Sequence, residues 1–110
     1  MHHLDKAMQD CIAACLKCYA TCHGTAMGHC LEAGGDHTKP KHFRLMVACA
    51  EVCRSAAHVM LTGSEQHKKV CAACAEICDA CAKDCERIGD MQACVEACRH
   101  CAEHCRKMAA

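Results

Sequence analysis

Aromatic and branched apolar side chains are scarce in this 110-residue chain, which contains one Tyr, one Phe and no Trp. Leu, Ile, Val and Phe together number only 14, too few for an ordinary hydrophobic core. Net charge is absent as well, because 13 basic residues balance 13 acidic ones. This balance removes the overall field that attracts nucleic acid or an anionic membrane, so we expect neither as a partner.

A secretory leader and a membrane span are also missing from the sequence. Residues 1–6 read Met-His-His-Leu-Asp-Lys, without the apolar run of about 7–15 residues that a secretory signal contains. No apolar stretch approaches the roughly 20 residues that cross a bilayer. We therefore expect a cytoplasmic protein with reduced thiols, although a mature chain whose signal had been removed would look the same.

Cysteine and alanine take the place of the usual core residues, with 16 and 20 copies. A free thiol packs like a small hydrophobe, so cysteine must supply much of any interior. The neutral charge and the regular pattern argue against disorder. The length fits one domain, residues 1–110.

Glycine and proline divide the chain into four long segments. The breaks are the loop at 34–40, which ends with proline, and the pairs Gly63-Ser64 and Gly89-Asp90. The segments are rich in Ala, Glu, Lys, Gln and Met and have no internal proline, which predicts helices. Short connections bring successive helices back antiparallel, so the sequence predicts an all-α, up-down-up-down four-helix bundle. The predicted helices cover about 4–33, 40–62, 65–88 and 91–108.

Cysteine marks one face of each predicted helix. In the first and fourth segments the spacing alternates between four and three residues, which at about 100° per residue keeps the thiols within about 60° of arc. Such a stripe is the geometry of a core face, so we expect a cysteine-lined core. The second segment offers a single pair, which makes this core asymmetric. Cys30 lies about 100° from the stripe of its helix, and we expect it to be exposed.

Packing alone and disulfide bonding both account poorly for these stripes. Ala, Val or Leu would pack without the redox reactivity of thiols, and disulfide scaffolds are usually rich in loops. Residues four apart in a helix have Cα atoms about 6 Å apart and Cα–Cβ bonds tilted the same way, near the outer limit for a disulfide. The same geometry suits two thiolates that hold one metal ion. Seven Cys-x-x-x-Cys pairs have it: 11/15, 18/22, 49/53, 74/78, 81/85, 94/98 and 101/105.

The identity of the metal follows from how the thiolates are presented. Thiolates select Cu(I), Zn(II) or iron–sulfur clusters. Zinc usually takes a closed tetrahedron from loops, and iron–sulfur clusters use looped runs that end in Cys-Pro, which does not occur here. A di-iron carboxylate bundle requires Glu-x-x-His, which is also absent. Cu(I) needs only two or three soft ligands, so thiolate pairs on helices favour several Cu(I) ions per chain.

The whole pattern resembles the four-helix-bundle copper-storage proteins, specifically their cytosolic branch without a signal peptide. The resemblance runs from segment 8–11 to segment 101–108 and depends on seven Cys-x-x-x-Cys pairs spread over four helices. It implies a lumen lined by thiolates and filled by many Cu(I) ions, often within a homotetramer, and storage rather than catalysis. The thiolate ligands that it implies are Cys11, Cys15, Cys18, Cys22, Cys49, Cys53, Cys71, Cys74, Cys78, Cys81, Cys85, Cys94, Cys98, Cys101 and Cys105.

Charge balance gives a loading estimate that is independent of this resemblance. A Cu(I) ion between two unshared thiolates is a buried anion, and burial of many such anions is prohibitive. If each thiolate bridges two ions, ions and thiolates approach equal numbers and the lumen becomes nearly neutral. We therefore expect on the order of one Cu(I) per core cysteine.

Methionine and histidine gather at both ends of the predicted bundle. The family opens where its first helix begins, so the resemblance assigns the metal entrance, with weaker ligands, to the end that holds Met8, Met60, His104 and Met108. The opposite end holds His29, His42, Met46, Ile88 and Met91. A Met or His on a bundle stripe more often packs than binds metal. Residues 1–3, Met-His-His, place a histidine third in the chain, an arrangement that can chelate Cu(II).

These observations favour a binding and storage protein for Cu(I). A metallothionein-like buffer for zinc or mixed soft metals is the alternative. A thiol redox enzyme would need one privileged, partly exposed cysteine of low pKa. The repetition of equivalent cysteine pairs indicates a capacity to bind many ions rather than catalysis, so we expect no catalytic residue. The expected recipient of the copper is a copper chaperone or a copper enzyme.

Overall fold

Four long helices make up most of the computed structural model, which describes residues 4–110. The first, α1, spans Lys6–Thr25 and continues through a π-helical turn, Ala26–Cys30, and a short α-helical turn, Leu31–Ala33. A 3₁₀ turn, Gly35–Thr38, leads to the others. These are α2, Pro40–Leu61; α3, His67–Ile88; and α4, Gln92–Ala109. No strand occurs between residues 4 and 110, so the predicted all-α class is confirmed. The predicted Cu(II)-chelating arrangement at residues 1–3 lies outside the described residues.

The helices pack in a ring around one axis. α2 contacts α1 and α3, while α4 contacts α3 and α1. Short links reverse the chain between successive helices, and the result is the predicted four-helix bundle. Residues 6–33 form a rod of about 42 Å at 1.5 Å per residue. This rod accounts for the long dimension of the molecule, which measures 45 × 21 × 19 Å.

Local side-chain and backbone chemistry sets where the helices begin and end. The Asp5 carboxylate caps α1 by accepting a hydrogen bond from the Met8 N–H at 2.8 Å. α3 begins two residues later than predicted, because Ser64 Oγ accepts from the Gln66 N–H at 3.1 Å and holds this segment as a turn. α3 ends at Gly89, whose φ of 90° is accessible because glycine lacks a Cβ.

The prediction that Cys30 is exposed is wrong, because the end of the first rod is not a regular α-helix. The π-helical turn at Ala26–Cys30 inserts one extra residue. Cys30 therefore takes the place of residue 29 in a regular helix, seven positions after Cys22, which is only about 20° from the stripe. Its side chain is fully buried.

Small side chains fill the interior between the four helices. The core consists mainly of cysteine and alanine, and the largest fully buried side chains are Met46, Met60 and His42. Half-buried Tyr19 and Phe43 pack against its edge. The predicted cysteine-lined core is confirmed, with thiols where other bundles place leucine.

We predict that the reduced, metal-free protein is already a folded helical bundle, because a protonated thiol packs as a small hydrophobe. Circular dichroism of metal-free protein in reductant should show the double minimum of a helical protein and a cooperative thermal transition. A disordered spectrum that becomes helical only with metal, as in zinc fingers, would contradict this.

Candidate metal centre

All 16 cysteines are free thiols, and all of them are fully buried. They occupy the inward faces of the four helices, since the alternating spacing of four and three follows the helical repeat. The charged residues Lys17, Glu96, Arg99 and Glu103 lie on outward faces and are exposed. The interior of the bundle therefore presents thiols from all four helices.

Thiols from different helices approach one another as closely as thiols within one helix. The Sγ atoms of Cys22 and Cys98 are 3.4 Å apart, as are those of Cys53 and Cys78. Within the Cys-x-x-x-Cys pairs 18/22 and 74/78 the Sγ atoms are 3.8 Å apart. Two sulfurs bound at about 2.3 Å to one ion lie roughly 4 Å apart, so both kinds of pair suit a shared metal ion.

Twelve of the thiols form overlapping groups whose Sγ atoms all lie within 4.8 Å of one another. Each group shares at least one cysteine with the next, so together they form a continuous set, which we call the thiol column. From the Met8 end inward, the groups are Cys11/Cys71/Cys105, Cys15/Cys74/Cys101/Cys105, Cys53/Cys74/Cys78/Cys101, Cys18/Cys49/Cys53/Cys78 and Cys18/Cys22/Cys49/Cys98.

Three further thiols lie beyond the last of these groups. The Sγ atoms of Cys81 and Cys85 are 3.9 Å apart, and the Cys94 thiol donates to the Thr21 carbonyl at 3.8 Å. All three were predicted as ligands. They lie inside the bundle, and Cys30 joins them as a buried thiol that sequence reasoning placed outside.

Hydrogen bonds between thiols shift the pKa values of neighbouring sulfurs in opposite directions. Hydrogen bonds with Cys105 and Cys15 lower the pKa of Cys101 to about 6. The bond to Cys101 in turn raises the pKa of Cys15 far above its usual range. Neighbouring thiols thus share protons, and a metal ion that enters must displace them.

The predicted ligands at the Met8 end lie beside the column. Met60 is fully buried, and Met8 and Met108 are half-buried against the core. The ring of His104 packs edge-on against His100, with 4.5 Å between ring centroids. Among the described residues, no cysteine Sγ lies within hydrogen-bonding distance of a methionine sulfur at this end.

Sequence reasoning missed a contact at the opposite end, between His42 and Asp84. His42 is buried on α2, and its Nδ1 lies 2.7 Å from Asp84 Oδ2 on α3. Burial raises the pKa of Asp84, but hydrogen bonds from His42 and Arg87 outweigh it and hold the pKa below its usual range. The carboxylate accepts a hydrogen bond from Nδ1 of His42, and Nε2 has no hydrogen-bond partner among the described residues. In the sequence, the only signal of this contact is that His42 lies on the same helical stripe as Met46 and Cys49, which indicates that it is buried.

A helical bundle whose interior is one continuous column of reduced thiols defines a class of protein: a container for soft metal ions with many similar sites. A family model described as copper storage protein matches residues 4–110 of this chain. The chain belongs to the copper storage protein family.

Relatives of known structure share the fold over nearly their whole length. The crystal structure of the Nmul_A1745 protein from Nitrosospira multiformis is 57% identical, with a TM-score of 0.94 over 96% of this chain and 97% of that one. The Cu(I)-bound copper storage protein BsCsp3 is 39% identical, with a TM-score of 0.88 over 96% of this chain and 100% of that one. The apo form of copper storage protein 3 from Bacillus subtilis is 39% identical, with a TM-score of 0.81 over 93% of this chain and 98% of that one.

A curated relative also matches at the level of sequence. The uncharacterized cysteine-rich protein YhjQ of Bacillus subtilis (strain 168) is 38% identical over 82 residues, which are 74% of this chain and 75% of that protein.

We predict that Asp84→Ala destabilises the metal-free protein by about 1–3 kcal/mol, because it leaves the buried Nδ1 of His42 unpaired. Urea unfolding of the reduced protein measures this loss. The folded pKa of Asp84 is depressed, so its contribution is present at neutral pH and is lost as pH falls below its usual value of 3.8. The control is Asp79→Ala, which removes an exposed ion pair with Arg106 and should cost under about 1 kcal/mol. Equal losses in the two variants would contradict the prediction.

Proposed function

We propose that this chain is a reservoir for Cu(I), which it sequesters as many ions bound by the thiolates of its lumen and releases on demand. The observation that carries this function is the continuous thiol column. A site built for one ion needs four thiols at most, whereas twelve here form overlapping groups. The arrangement therefore provides binding sites for many ions.

The overlap of the groups favours Cu(I) over zinc. Zinc in structural sites takes four ligands in a closed tetrahedron. Because the four-thiol groups share members, at most two of them can be filled at once without sharing a thiolate. Cu(I) accepts two or three soft ligands, so bridging thiolates let the ions use every sulfur.

Charge supports the same conclusion about loading. A lumen filled with bare thiolates would be a run of buried anions, which the helices cannot stabilise. One monovalent ion per thiolate makes the lumen neutral. We propose a capacity on the order of one Cu(I) per buried cysteine.

Storage rather than catalysis is favoured by the uniform burial of the thiols. A catalytic cysteine is partly exposed and differs from its neighbours in pKa and surroundings. Every thiol in this chain is fully buried. We propose that the chain has no enzymatic activity and passes its copper to a chaperone or copper enzyme.

We propose that the protein works in the reducing cytoplasm as a homo-oligomer, a tetramer by its resemblance to the family. No helix between residues 4 and 110 has both the length and the apolarity to cross a membrane. Free thiols at every cysteine suit a reducing compartment. Leu16 and Leu31 are exposed along the first rod, which supports an apolar contact between copies.

Anaerobic titration of the reduced protein should show tight uptake of many Cu(I) equivalents, with release of protons from the thiols. A Cu(I) chelator of known affinity reports the stoichiometry, and a weakly buffered solution reports the protons. Saturation at one or two equivalents would overturn storage. Displacement of copper by an equal concentration of zinc would favour the zinc buffer instead.

We further propose that Cu(I) enters and leaves at the Met8 end, where thioethers and an imidazole bind it more weakly than thiolate pairs do. The triple variant Met8→Leu, Met60→Leu and Met108→Leu keeps side-chain volume nearly constant, so the bundle should remain folded. We expect slower loading and slower removal by a chelator, with capacity nearly unchanged.

Stopped-flow uptake and chelator-release measurements test this proposal. The matched control is Met27→Leu, which removes an exposed thioether from the outer surface and should leave both rates unchanged. Parent-like rates in the triple variant would show that ions pass elsewhere.

A further inference from the structure

Three sulfur atoms of two chemical kinds meet at the end of the bundle opposite Met8. The Sγ atom of Cys30 lies 3.7 Å from Sδ of Met46 and 3.6 Å from Sδ of Met91. Cys30 comes from the π-helical turn, Met46 from α2, and Met91 from the residue before α4. Cys30 and Met46 are fully buried and Met91 is 3% exposed, so the cluster is closed off from water.

This cluster is separate from the thiol column. Cys30 belongs to none of the overlapping groups, and both of its sulfur neighbours are thioethers. Burial raises the pKa of the Cys30 thiol, and the nearby Cys94 and Cys81 raise it further. Without metal, the Cys30 thiol donates to the thioether sulfurs of Met46 and Met91.

An independent observation at the same end also points to a ligand. His42 is one helical turn before Met46 on the buried face of α2, and its Nε2 has no hydrogen-bond partner among the described residues. Its Nδ1 is occupied by Asp84 at 2.7 Å. A histidine that bonds a carboxylate through one nitrogen and offers the other is the usual arrangement of a metal ligand with its supporting carboxylate.

We propose that Cys30, Met46 and Met91 form an additional Cu(I) site, distinct from the thiol column, with His42 Nε2 as the nitrogen donor on the same face. The inference rests on the proposed Cu(I) storage function and adds a site of different chemistry to it. Thiolate and thioether are both soft ligands, and thioethers are not among the usual ligands of zinc.

Charge balance makes this site favourable in a closed interior. The S–H bond of Cys30 breaks, an S–Cu(I) bond forms, and one proton leaves as one monovalent cation arrives. The site is therefore neutral before and after binding, without the bridging that column thiolates require. No electron is transferred, because copper enters and remains as Cu(I).

A half-buried histidine lies between the cluster and the surface. Nδ1 of His37, which is half-buried, lies 4.0 Å from the Cys30 Sγ. The ring of His37 contacts the exposed His29, with 4.9 Å between the ring centroids.

Methionine-methyl NMR during anaerobic Cu(I) titration tests the site directly. In protein labelled with ¹³C at the methionine methyls, the signals of Met46 and Met91 should shift when the protein is saturated with Cu(I). The exposed Met27 serves as an internal control, and its signal should remain in place. Signals of Met46 and Met91 that do not move in saturated protein would overturn the proposal.

The variant Cys30→Ala distinguishes Cu(I) bound by Met46 and Met91 from Cu(I) that merely lies near them in the thiol column. It removes the only thiolate of the cluster but leaves the column intact, so the copper-dependent shifts of Met46 and Met91 should disappear and capacity should fall by about one equivalent. The double variant Met46→Leu and Met91→Leu should lose the same equivalent, whereas Met27→Leu should lose none. Circular dichroism confirms that each variant is folded.

The two proposals fail in different ways. If the parent protein takes up almost no Cu(I), storage itself is wrong. If the parent fills with Cu(I) but the Met46 and Met91 shifts persist unchanged in Cys30→Ala, storage stands and the additional site is wrong.

Discussion

The burial of protonated thiols is the interaction on which the rest of the structure depends. A thiol is apolar enough to hold the core together but becomes an anion when it loses its proton, and a bare buried anion is costly. The interior is therefore stable in two states, with a proton or with a soft cation on each sulfur. Because both are monovalent, exchange of one for the other leaves the net charge of the bundle unchanged.

The small size of this core determines how closely the helices pack. Thiols from facing helices come within 3.4 Å, as in the pair Cys53 and Cys78. Larger core residues would hold the helices apart and separate the sulfurs. The same scarcity of Leu, Ile and Phe that makes the sequence unusual thus brings the ligands within bonding distance of a common ion. Stability and function use the same side chains.

Periodicity was sufficient to predict the bundle and the inward faces, because spacings of four and three residues can align only on a helix. Periodicity was insufficient to predict that Cys30 is buried, because the π-helical turn adds one residue without changing the composition. Gly28 is the local sequence signal of this turn. Periodicity also could not pair Cys22 with Cys98, since that contact depends on how far two helices are offset along the axis. The bond between His42 and Asp84 joins residues 42 positions apart and had no signal of its own.

The sharing of thiols between successive groups has a consequence for how ions travel. Cys105, Cys74 and Cys53 each belong to two neighbouring groups, so an ion can step along the axis by exchanging one ligand while it keeps another. It never has to pass through a state without sulfur. In a lumen one cluster wide, however, ions cannot overtake each other. If copper enters and leaves only at the Met8 end, as proposed, the ions taken up first lie deepest in the column and leave last.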